Sequence, residues 1–101
     1  KSENSRKAVR MRFAVKDLVA ARASLLVAGE LGPEIDPEFI RKTCDTLESR
    51  VTKNQRAIDD INESRREPIE IPSPTDNDKA TAKRGWVGLW WHVQRAKGLR
   101  K

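Results

Sequence analysis

The sequence predicts an all-α protein: a helical hairpin or coiled-coil bundle, followed by a proline-rich linker and a detached, basic, tryptophan-rich C-terminal helix. Three observations predict it. The stretch from Ser5 to about Ala28 has neither glycine nor proline, the stretch from Ile40 to Ile61 keeps an unbroken heptad, and three prolines between Glu67 and Asp78 cut both from an end without acidic residues. The expected divisions are a hairpin or coiled-coil region over 1–66, a linker over 67–78 and a basic Trp helix over 79–101.

The first helix is built mostly from good helix formers, Ala, Arg, Leu and Val. Met11, Val15, Leu18 and Leu25 recur at helical spacing with Ala14 and Ala21 between them, while Val9, Phe13 and Ala20 widen the stripe. The alanines allow close approach by another helix. Gly29, Gly32 and Pro33 stop the segment, Gly being suited to a left-handed C-terminal cap.

Asp36, Pro37 and Glu38 mark the start of the second helix: an acceptor at the N-cap, a proline whose missing N–H costs nothing at the first position, and a carboxylate at the positive end of the dipole. The helix is expected to reach about Arg66. Along it Ile40, Cys44, Leu47, Val51, Asn54, Ile58 and Ile61 form a narrow heptad seam, which is the expected protein interface. Asn54 admits two readings. In a homo-oligomer it fixes register by facing another amide; in an antiparallel hairpin it sits exposed where the helices diverge.

The linker, EPIEIPSPTDND, is kept out of helix and central strand by Pro68, Pro72 and Pro74, while Ile69 and Ile71 let it lie extended along a surface. After it, Trp86, Trp90 and Val93 share a helical stripe, with Val87, Leu89 and Trp91 beside it. Gly85 and Gly88 each weaken this helix by about 1 kcal/mol relative to Ala, which favours ordering on a partner.

Composition bounds the function. In 101 residues, 37% are hydrophobic and 36% charged, a thin supply of apolar surface for a private core, so other protein subunits or a homo-oligomer are expected. Lys1–Ala28 carries seven bases and two acids, Gly29–Asp78 seven bases and thirteen acids, and Lys79–Lys101 seven bases and no acid. The basic ends therefore meet either the acidic middle or an external polyanion. One cysteine and one histidine exclude a disulfide framework and a Cys- or His-rich zinc site, and they fit a reducing, cytoplasmic compartment. No apolar run spans a bilayer, and the first residues lack a signal-peptide core. The chain begins at Lys1 rather than Met, as a processed product or a fragment does.

No catalytic signature emerges, and neither a cofactor, a metal nor a small-molecule substrate is expected. Asp59, Asp60 and Glu63 read as a solvated face beside Arg56 and Arg66, and Cys44 reads as a seam thiol rather than a nucleophile paired with His92. The C-terminal segment is the most distinctive feature. Lys83, Arg84, Trp90, Trp91, Arg95, Lys97, Arg100 and Lys101 are the candidate nucleic-acid contacts, cations for phosphates and rings for unpaired bases, with RNA favoured. The same segment also reads as an interfacial membrane helix, as a set of i, i+4, i+7 anchors for a protein groove, or as part of the chain's own core.

The stretch RMRFAVKDLVAAR, with Arg10, Arg12, Phe13, Asp17, Leu18, Val19 and Arg22, resembles the last helix of the HEAT-like middle domain of the large scaffold subunit of the eukaryotic cap-binding translation initiation complex, and GPEID after it extends the likeness. It covers Arg10 to Lys42 and stops there. The resemblance implies a fragment of a helical-repeat scaffold that binds RNA and a helicase, and it carries no binding residue over to this chain. The expected function is a non-enzymatic adaptor or structural subunit of a ribonucleoprotein or translation-related assembly; the alternative is a peripheral membrane-associated or oligomeric coiled-coil protein.

Overall fold

A computed structural model describes residues 3–98, and these are all-α. α1 spans Glu3–Val27, α2 spans Pro37–Glu63 and α3 spans Asp76–Ala96, with a 3₁₀ turn at Ala28–Glu30; no strand occurs among the described residues. α1 and α2 form an antiparallel hairpin. Ile58, late in α2, packs with Met11, Ala14 and Leu18, whereas Leu47 packs with Ala21, Val27 and Trp86. Ala14 and Ala21 are buried at this contact, so the small side chains do bring the two helices close.

The caps explain the boundaries. Asp36 accepts from Glu38 N at 3.1 Å with Pro37 at the first helical position, as the sequence predicts. α1 ends differently from expectation: Gly29 adopts no left-handed conformation, and the chain tightens into the 3₁₀ turn, closed by Leu31 N donating to Ala28 O. The left-handed glycine is instead Gly98, φ 71°, just past α3. α2 stops at Glu63, before Arg66, and Ser64 caps it. α3 starts earlier than Lys79. Thr75 accepts from Asp78 N at 3.1 Å and Asp78 accepts from Thr75 N at 2.9 Å, a capping box that makes Asp76 the first helical residue.

The segment between α2 and α3 is extended and held down. Ile69 and Ile71 are half-buried against the cluster of Met11, Ala14, Leu18 and Ile58. Asn62 fixes the path: its amide nitrogen donates to Ile69 O at 3.1 Å, and its amide oxygen accepts from Ile69 N at 3.0 Å. α3 then runs alongside α1 in the same direction, from the middle of α1 to beyond its end.

The third helix is therefore docked rather than detached. Trp86 is only 3% exposed, and its Nε1 donates to Ser24 O at 2.9 Å. Burying an indole is worth roughly 4–6 kcal/mol by area, more than the roughly 2 kcal/mol that the two glycines cost the helix together. The N-terminal half of α1 has no α3 beside it, which leaves Val9 and Phe13 exposed, Phe13 by 70%.

Candidate nucleic-acid interface

α3 divides its residues between two faces. The inner face carries Trp86, Trp90 and Val93. Phe39, at the start of α2, meets Trp86 edge-on at a centroid distance of 6.1 Å and Trp90 in a tilted contact at 5.0 Å. Trp86 thus completes the chain's own core, and Trp90, a candidate for base stacking, is half-buried with its ring engaged by Phe39. Phe39 was not distinguishable in the sequence, because it stands off the heptad seam; only its place in the first turn of α2, opposite the end of α1, marks it.

The outer face carries Arg84, Gly88, Trp91 and Arg95, stepping by four, three and four residues along one side of the helix. Trp91 is 38% exposed, as is the neighbouring Val87, and Arg84 and Arg95 are exposed. Arg84 donates to Thr81 Oγ1 at 3.3 Å. Lys83 lies nearer the hairpin, where Glu30 approaches its ammonium at 3.9 Å, so its charge is partly spent within the chain. Lys97 is exposed at the C-cap; Arg100 and Lys101 lie outside the described residues. From Lys79 to Gly98 no acidic side chain interrupts this surface.

The predicted interface seam of α2 is turned inward onto α1. Leu47 and Ile58 are buried, and Ile40, Cys44, Val51 and Ile61 are half-buried against the same two clusters. It has little apolar surface left to offer another subunit. Asn54 follows neither reading made for it. Its Nδ2 donates to Asp17 Oδ2 at 2.6 Å, while Arg50 reaches the same carboxylate through Nε and Nη2. The hydrogen bond from Arg50 holds the Asp17 carboxyl below the usual carboxylate range, against partial desolvation and with help from Asn54. Burial pushes the Cys44 thiol up, and the nearby Glu48 and Asp45 carboxylates add to the shift, so the thiolate is disfavoured. His92 is exposed on α3. Among the described residues no three of His, Cys, Asp and Glu gather as a metal site, and no helix is long and apolar enough to cross a membrane.

A second feature lies where α3 meets α1. Val15, Val19 and Ala20 on α1 face Ile69 and Pro72 of the linker and Ala82 of α3 across an apolar groove of about 640 Å³, with Arg12 and Lys16 on one wall.

Comparison of the chain with protein-family models, with curated proteins and with solved structures finds no match.

Proposed function

We propose that this chain is a non-enzymatic helical binding module of a ribonucleoprotein or translation-related assembly, and that it engages single-stranded RNA with the outer face of α3. The observation that carries the reading is the division of labour along that helix. Trp86 and Trp90 hold it to the hairpin, while Arg84, Trp91 and Arg95 lie on the other side of the helix, in the stretch from Lys79 to Gly98 that carries no acid. Guanidinium groups neutralise phosphates, and the partly exposed indole between them adds aromatic surface that an unpaired base can touch. The resemblance of Arg10–Lys42 to a translation scaffold points the same way.

The membrane alternative draws on the same segment but has less to work with. Trp86 is committed to the core and Trp90 packs on Phe39, leaving Val87, Leu89 and Trp91 as the large exposed apolar groups of α3, a narrow face for interfacial insertion. Titration of the full chain with oligouridylate and with anionic phosphatidylserine vesicles separates the readings. The expected result is RNA binding that Trp91→Ala weakens by roughly 1–3 kcal/mol. Vesicle binding that persists in high salt, with no RNA affinity, would replace this reading with the membrane one.

A further inference from the structure

The apolar groove between α1, the linker and α3 is not needed for RNA contact, and it does not rest on the RNA reading. It exists because the facing residues are small: Ala20 on α1 and Ala82 on α3 leave a trough where larger side chains would interdigitate. Its walls reach solvent at Ala20, Pro72 and Thr81, so it is an open trough rather than a closed cavity. Along α1 it runs from Met11 to Ser24, about 20 Å at 1.5 Å per residue, a match for three to four turns of a partner helix.

We infer that this groove is the docking site of an acidic amphipathic helix from a partner protein. Charge complementarity selects the occupant. Arg12 and Lys16 stand on the α1 wall, both exposed, and are the only cations lining the groove among the described residues. Asp78, the one acid lining the groove, is occupied in the capping box with Thr75. A second copy of this chain is a poor occupant: its acidic helix, α2, already spends its apolar seam on its own α1. An apolar stripe flanked by Glu or Asp, laid into the trough with its acids against Arg12 and Lys16, satisfies both the shape and the charge.

The test uses the full chain, ¹⁵N-labelled, and a designed fluorescein-labelled helical peptide of about four turns with Leu at i, i+4 and i+7 and Glu on the flanking positions. A matched peptide carries Lys in place of each Glu. The expected result is that the Glu peptide binds about tenfold or more tighter than the Lys peptide and perturbs the amides of Val15, Val19 and Ala82. Arg12→Glu with Lys16→Glu, both exposed, should invert the preference. Ala20→Trp, which fills the trough, should abolish binding while circular dichroism reports an unchanged helix content. Equal affinity for the two peptides, perturbations centred on Arg84 and Trp91, or no binding at about 1 mM peptide would each overturn the assignment.

Discussion

The indole nitrogen of Trp86 donates to the backbone carbonyl of Ser24 at 2.9 Å, joining residues 62 apart in the chain. Ser24 lies in the last turn of α1, just before the 3₁₀ turn at Ala28–Glu30. One side chain therefore ties α3 to the last turn of α1, fills the space beside Ala21, Val27 and Leu47, and fixes the direction of α3. The outward orientation of Arg84, Trp91 and Arg95 follows from that anchor.

Trp86→Ala should destabilise the protein by about 3–5 kcal/mol in urea unfolding. Trp86→Phe should recover much of the packing yet lose the hydrogen bond to Ser24 O, at a cost of about 0.5–1.5 kcal/mol. Trp91→Ala should cost clearly less than Trp86→Ala, since Trp91 is 38% exposed where Trp86 is 3% exposed. Equal losses at positions 86 and 91 would mean that α3 does not dock through Trp86.

Asn62→Ala should release the segment that follows α2. The two hydrogen bonds between its amide and the Ile69 backbone are half-buried, and their loss should cost about 1–2 kcal/mol. Limited trypsin digestion at Arg65 and Arg66 provides the measurement: cleavage is expected to be slow in the parent chain and faster in the variant. Rapid cutting of the parent would mean that Ile69 and Ile71 are not held on the hairpin.

Asp17 gives a pH dependence with a definite sign. Its folded pKa is depressed, so its contribution is complete above the unfolded carboxylate value of about 4 and is lost as pH falls through the lower folded value. The Asp17 side chain is 45% exposed, and solvent screening limits its interaction with Arg50 to about 0.5–1 kcal/mol. The stability gap between the parent and Asp17→Asn, measured by urea unfolding, should be present at neutral pH and close under strong acid. A gap that widened on acidification would contradict the Arg50 assignment.

Gly85→Ala and Gly88→Ala should each raise stability by about 0.5–1 kcal/mol. An added Cβ meets no heavy atom within 4 Å at either position, and neither glycine has a positive φ. Thermal melts of the two variants check this. A fall in melting temperature would show that α3 needs a bare backbone at those positions.

The helices were legible because their signals are local: the heptad from Ile40 to Ile61 and the Asp36–Pro37 start depend on neighbours in sequence. The docking of α3 was not, because Trp86 reads identically as an anchor for RNA, for lipid or for its own hairpin until Ser24 and Phe39 are beside it. Asn54 was misjudged for the same reason, its partner Asp17 lying 37 residues away on α1. The Thr75–Asp78 capping box was available locally, yet three prolines just before it drew the boundary toward Lys79. Of the candidate RNA contacts, composition alone placed Arg84, Trp91 and Arg95 in the basic aromatic segment, together with Lys83, Trp90, Lys97, Arg100 and Lys101. Only the burial of Trp86 and the contact between Trp90 and Phe39 separated an outer face from an inner one.

The salt dependence of oligouridylate binding tests the central claim most directly. Each phosphate neutralised on a single strand contributes a slope of about −0.7 in log K against log salt, so replacing Arg84 and Arg95 by Gln should flatten the slope by about 1.4. Trp91→Ala should lower affinity at every salt concentration while leaving the slope unchanged. A slope that is the same in the parent and in the Arg84→Gln, Arg95→Gln variant would contradict the account, because RNA would then be held by some surface other than the outer face of α3.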